Sequence, residues 1–130
     1  MFINRETDYA IRIVRNLHHE ELSQIESVAE KENISLTMAH KVCRVLKKKG
    51  VINSKAGVNG GYTLNRPLTE ITLFDVFGAM NDVVEINDCL VDIENCPFAK
   101  SGVCNVHHEL NRIQSVLHEE LKSKSIADLV

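Results

Sequence analysis

Residues 28–50 read "VAEKENISLTMAHKVCRVLKKKG" and constrain the fold more tightly than any other stretch of the chain. A short helical pattern through Ile25, Val28 and Ala29, with Ser23 as its expected cap, stops at Asn33. Asparagine tolerates the left-handed backbone that helix ends need. After a brief turn, Ser35 can cap a second helix that runs to Gly50. Two short helices joined this tightly form a helix-turn-helix. The next stretch, "VINSKAGVNGGYTLNR", holds two β-type runs, Val51–Lys55 and Tyr62–Leu64, around Asn59-Gly60-Gly61. Asn-Gly supplies the positive φ angles of a tight hairpin turn. A helix-turn-helix followed by a glycine-rich hairpin predicts a winged helix.

The remaining segments fit around that unit. An opening helix is expected over residues 7–19, capped by Thr7, with Ala10, Ile13, Val14 and Leu17 on one apolar stripe. Pro67 breaks the chain, and "TEITLFDVFGAM" reads as a short helix with Leu73, Val76, Phe77 and Met80 inward. From Val106 a long helix runs to Lys122 with apolar residues at Val106, Leu110, Ile113, Leu117 and Leu121. Those steps lie near the 3.5-residue period of a helix–helix seam, and such a helix suits pairing with its twin in a homodimer. The expected fold class is mainly α with a small β-hairpin wing. Residues 1–80 form a winged helix-turn-helix domain, 81–104 a cysteine-containing loop, and 105–130 a dimerisation helix with a C-terminal tail.

Charge is distributed unevenly. Residues 1–66 carry eleven Lys/Arg against seven Asp/Glu, a net +4, whereas 67–130 carry four against eleven, a net −7. No acid falls between Glu32 and Glu70, where Lys41, Arg44, Lys47, Lys48, Lys49, Lys55 and Arg66 all lie. On the third helix, Leu36, Ala39, Val42, Cys43 and Leu46 are expected to face the core. Thr37, His40, Lys41, Arg44, Lys47 and Lys48 line the opposite face. A cationic stripe on the second helix of a helix-turn-helix points to double-stranded DNA. Ser35, Thr37, His40 and Lys41 are the base-reading candidates, with Arg44 and Lys47 on phosphate. In the wing, Lys55 and Asn59 can reach the minor groove, where Gly60 and Gly61 permit close backbone approach. A winged helix that binds only protein is the competing reading. RNA is a poorer partner, because the chain lacks an aromatic stacking platform.

Three of the four cysteines cluster in "CLVDIENCPFAKSGVCNVHHEL", where gaps of six and seven residues separate Cys89, Cys96 and Cys104. The opening "MFINRETDYAIRIVRNL" lacks a signal-peptide pattern, and no apolar run approaches the ~20 residues of a membrane span. A cytoplasmic protein without a membrane partner is therefore expected, and there thiols stay reduced. A nucleophilic enzyme would need a base and an oxyanion site, and nothing in the chain resembles either. Zinc sites favour tighter ligand spacings, of which only Cys104-x-x-His107 is an example. The wider gaps, and Pro97 after Cys96, suit the larger iron–sulfur cluster. Spacing alone leaves both open. Cys43 reads as a small buried hydrophobe.

"TDYAIR", "ISLTMAHKVCRVLKKKGVI", "GVNGGYTL", "ITLFDVFGAM", the three cysteines and the closing "SIADLV" occur in an order that spans essentially the whole chain. In this the chain resembles the family of bacterial winged-helix iron–sulfur transcription regulators that includes IscR, NsrR and RirA. The resemblance implies a homodimer that holds a 4Fe-4S or 2Fe-2S cluster through Cys89, Cys96 and Cys104. The implied fourth ligand is either Asp8 from the partner subunit or His107. It further implies a repressor on a palindromic operator, with DNA affinity set by nitric oxide, iron or redox state. Ala56 stands where the family wing usually carries arginine, which leaves Lys55 as the substitute. A zinc- or thiol-based regulator on the same fold is the alternative.

Overall fold

A computed structural model describes residues 3–130, so the first two residues of the expected 1–80 domain lie outside the described residues. Seven helices and one hairpin follow in the order α1 (Arg5–Val14), α2 (Ile25–Glu32), α3 (Leu36–Lys48), β1 (Ile52–Lys55), β2 (Gly61–Leu64), α4 (Leu73–Asn81), α5 (Asp88–Val91), α6 (Pro97–Lys100) and α7 (Asn105–Lys122). Short 3-10 turns occupy Leu68–Glu70, Ile93–Asn95 and Ile126–Leu129. This is the expected mainly helical winged helix-turn-helix.

Helix α1 begins earlier than expected. Asn4, not Thr7, is its cap: Asn4 Oδ1 accepts from the Thr7 backbone N–H at 2.9 Å. Thr7 is instead fully buried, its hydroxyl donating to Asn4 Oδ1 and accepting from Asn81 Nδ2 of α4. The helix stops at Val14 rather than at residue 19, because the next N–H groups, of Asn16 and Leu17, turn back to Ile13 and Val14. Leu17 still reaches the core with Ala10, Ile13 and Val14, all at 1% exposure or less.

Ser23 does not cap α2. Its backbone is engaged instead, in a two-way bridge to Tyr62 of β2 at 2.9 Å in each direction. Gln24 occupies the cap position without a side-chain bond there, and its amide reaches Gly60 of the wing. The turn between α2 and α3 is as expected, with Asn33 left-handed (φ 54°) and Ser35 capping α3. Beneath the turn, Arg15 donates twice to Glu32 (2.8 and 2.6 Å), and Asn16 donates to the same carboxylate at 2.5 Å. The Arg15 hydrogen bond holds the Glu32 carboxyl below its ordinary value of 4.5.

In the antiparallel wing, Ile52 pairs with Leu64 and Lys55 with Gly61. Its turn departs from the expected Asn-Gly hairpin. Positive φ falls on Gly57 (104°) and Gly61 (155°), and neither Asn59 nor Gly60 takes it. The five-residue connection 56–60 leaves room for the reversal without a tight two-residue turn. Gly60 and Gly61 are required for another reason: a Cβ would lie 2.0 Å from Lys55 O at the first and 2.6 Å from Ser23 O at the second. The sheet closes on backbone there.

One core joins α1, α2, α3, β1, β2 and α4, with Ile13, Leu17, Leu46, Ile52, Leu64 and Ile71 at its dry centre. Leu36, expected inward, is 44% exposed because it opens α3 at the turn. The C-terminal tail packs onto this core. Ile126 is 1% exposed, its N–H donates to Ile71 O at 2.7 Å, and Ser125 bridges to Thr72.

Two expectations follow. Gly61→Ala should lower unfolding free energy by roughly 2–4 kcal/mol in urea melts, because backbone must shift to admit the methyl. Glu32 contributes stability above pH 4.5 that disappears as pH falls through its lower folded value. Urea melts across this range should therefore show a shallower acid loss in Glu32→Gln than in the parent protein.

Candidate DNA-reading face and cysteine site

Burial of Ala39, Val42, Cys43 and Leu46, each at 0% exposure, fixes how α3 is rotated. The opposite stripe therefore faces out: Thr37, Lys41, Arg44, Lys47 and Lys48 are exposed and His40 is half-buried. Ser35 is exposed at the start of the helix. His40 lies in a groove between α3 and the wing, lined also by Ser54, Lys55, Gly60, Gly61 and Tyr62. Lys55 and Asn59 are exposed on the wing, whose tip carries Val58 at 98% exposure. Lys47 Nζ donates to Ser54 at 2.6 Å, bracing the recognition helix against the wing. Lys41 Nζ meets Glu6 of α1 at 2.6 Å, and Lys49 pairs with Asp82 beyond the end of α4. The outward stripe of α3 and the wing are thus adjacent, joined at the Lys47–Ser54 bond and the groove beside His40, with Gly60 buried.

The cysteine segment is more ordered than an irregular loop. Helices α5 and α6 flank a 3-10 turn, with Cys89 within α5 and Cys96 between the turn and α6. Cys104 is the N-cap of α7, its sulfur accepting from the His107 backbone N–H at 3.4 Å. One turn along, His107 Nδ1 lies 3.5 Å from Cys89 Sγ, which also accepts from Asn87 Nδ2 at 3.4 Å. His107 therefore ties Cys89 to the start of α7, its ring against the Cys89 thiol and its backbone N–H on Cys104. Cys96 opens with Cys89 into a pocket of about 520 Å³, lined also by Val83, Asp88, Val91, Asp92 and Asn95. His108 points away to Gly102 O. Asp8 lies on α1 and pairs with Arg12 at 2.8 Å.

Among the described residues no three His, Cys, Asp or Glu side chains converge tightly enough to hold one metal ion. A cluster several ångströms across does not require its ligands to meet at a point. Three free thiols in one segment, with the His107 imidazole against Cys89, are a donor set that fits such a group.

Segment 84–86 is clamped on α7. Gln114 is the one residue of that helix that is buried, and its Oε1 accepts from Ile86 N–H at 3.0 Å. His118 Nε2 lies 2.5 Å from Val84 O and packs edge-on against Phe74 of α4. Three apolar residues go the other way: Val106, Ile113 and Val116 are 68%, 42% and 53% exposed, while Leu110, Leu117 and Leu121 are half-buried. Sequence periodicity named Val106 and Ile113 of this exposed set but not Val116. Nothing in the sequence marked Gln114, His118, Glu6 or Asp82, whose partners lie 28 to 35 positions away. Among the described residues no helix is long and apolar enough to cross a membrane.

A family model described as "Rrf2: Iron-dependent Transcriptional regulator" matches residues 3–130. Protein aau3 of Rhizobium meliloti (strain 1021) is 32% identical over 133 residues, covering 100% of this chain and 85% of that protein. Protein rrf2 of Nitratidesulfovibrio vulgaris is 28% identical over 106 residues, covering 82% and 69%. Among solved structures, CymR, the global cysteine regulator of B. subtilis, superposes with a TM-score of 0.73 at 24% identity, covering 98% of this chain and 94% of CymR. T. potens IscR gives a TM-score of 0.72 at 20% identity, covering 98% and 84%.

Burial separates the thiols chemically, pushing Cys43 up to about 12. At pH 8 only about one Cys43 in ten thousand would be thiolate, the reactive form. Ellman's reagent should accordingly titrate three thiols in the reduced native protein and the fourth only in denaturant. Four native equivalents would show that Cys43 is not shielded.

Proposed function

The chain belongs to the Rrf2 family of winged-helix transcriptional regulators, and on that premise we propose that it is a cytoplasmic, homodimeric repressor whose DNA affinity is set by an iron–sulfur cluster. It is a regulator and not an enzyme. The contact of the His107 ring with Cys89 at the first turn of α7, which Cys104 caps, carries the proposal. Cys89, Cys96 and Cys104 would hold the cluster, with His107 or Asp8 of the partner subunit as the fourth ligand. When bound, the group supplies a linkage sensitive to nitric oxide, oxygen and iron supply.

The chain's own residues carry the consequence to DNA. Gln114 and His118 hold segment 84–86 against α7, so a change at Cys89 is felt along the helix that pairs the subunits. At the other end of that segment, Asp82 engages Lys49 at the close of α3. Ser35, Thr37, His40 and Lys41 read base edges, Arg44 and Lys47 contact phosphate, and Lys55 with Asn59, Gly60 and Gly61 approaches the minor groove. Two recognition helices must sit ~34 Å apart to read a palindromic operator. A small change in dimer geometry is therefore enough to release it.

A second reading keeps the fold but lets the thiols act directly, with zinc or without metal. The Cys89–His107 contact suits a reactive thiol as well as a ligand.

Anaerobic reconstitution with iron and sulfide should give a brown chromophore that Cys96→Ala weakens or abolishes. Zinc alone in anaerobically purified protein would favour the second reading. Lys41→Ala or Arg44→Ala should weaken binding to a selected palindrome; unchanged binding would point to a protein-binding winged helix. Val116→Asp on the exposed face of α7 should yield monomers in analytical ultracentrifugation and cost about 100-fold or more in affinity for a palindrome, through lost bivalency.

A further inference from the structure

Of the six side chains on the outward stripe of α3, Lys41 is the one held in an ion pair among the described residues. Its partner is Glu6, in the first turn of α1. Glu6 is not loosely placed: Asn4 caps the helix two residues before it, and the neighbouring Thr7 is locked in the core.

An acid at this edge is unfavourable for simple DNA affinity. It repels phosphate and neutralises a cation that would otherwise release a counterion. The pair does little for the fold either, since its side chains are 51% and 36% exposed, where ion pairs contribute little. Its use lies in discrimination. A free lysine gains a phosphate on any sequence, and so favours every site alike. A lysine held by a carboxylate gains little by exchanging one anion for another. It gains where the major groove offers the paired acceptors O6 and N7 of guanine.

We propose that Glu6 is a specificity-determining residue for DNA binding, keeping Lys41 off phosphates on unrelated sequence and committing the pair to a G·C base pair in each half-site. This rests on the reading of α3 as the DNA-recognition helix.

The test uses the full chain and a duplex selected in vitro from a randomised pool, against a scrambled duplex of the same composition. Glu6→Gln keeps the side chain's size and should bind the scrambled duplex roughly three- to tenfold tighter, with its salt slope steeper by about 0.9, one phosphate's share. Binding to the selected duplex should change less than about twofold, and selection repeated with Glu6→Gln should relax one G·C position per half-site. In a Lys41→Ala background, Glu6→Gln should shift both duplexes alike. The proposal is overturned if Glu6→Gln alone shifts both duplexes by one factor or leaves the scrambled affinity unchanged. It is overturned too if the differential effect survives without Lys41. Should the parent protein fail to prefer its selected duplex, the DNA-recognition reading itself fails, and this inference with it.

Discussion

Helix α3 has to hide Ala39, Val42, Cys43 and Leu46 completely, and it can do so only by pressing one side against α1, α2, α4 and the wing. Those four residues are small or medium in size, so the helix sits close to its neighbours and cannot rotate without opening voids, which dense protein interiors do not tolerate cheaply. The direction of every cation on the other side follows. The wing is placed by the same constraint, because Val51 and Ile52 enter the core directly after the helix ends. Ser23, just before α2, then bonds backbone to backbone with Tyr62 of the hairpin, beside Gly61. Recognition chemistry on this surface is thus a by-product of how the buried side packs.

Helix α7 inverts the usual arrangement. Its inward contacts are polar: a glutamine amide and a histidine ring that satisfy backbone groups of the segment leading to Cys89. Val106, Ile113 and Val116 remain outside, with Leu110, Leu117 and Leu121 half-buried. A helix of this kind gains little from its own domain by hydrophobic burial, and polar contacts that satisfy specific backbone groups fix register more than they add stability. Precise seating of the cysteine segment and an unpartnered apolar face thus come from one helix used on two sides.

Much of this was legible in the sequence. Period, caps and turn chemistry identified α2, α3, the wing and the cationic stripe, because those signals are local. The misplacements were local conflicts settled by tertiary contacts. Thr7 had the right chemistry for a cap but was drawn into the α1–α4 interface, leaving Asn4 to cap. Ser23 was taken by a backbone bridge to Tyr62. Asn59-Gly60 looked like a tight turn, yet the glycines were needed where backbone meets backbone. In the cysteine segment, composition suggested a metal or redox site, but the Cys89–His107 contact, across eighteen positions, depends on three-dimensional placement that no spacing encodes.

The return of the C-terminal segment has a mechanical meaning. Ile126 and Ser125 stitch the far end of α7 to Ile71 and Thr72, at the root of α4, while Gln114 and His118 fasten its middle to the segment leaving α4. The helix is therefore a strut braced at two points on one foundation, not a boom hinged at one. A load applied at its free end, where Cys104 sits, cannot be absorbed by swinging. It is passed into the base of α4 as shear, and from there into the packed body that carries the recognition helix.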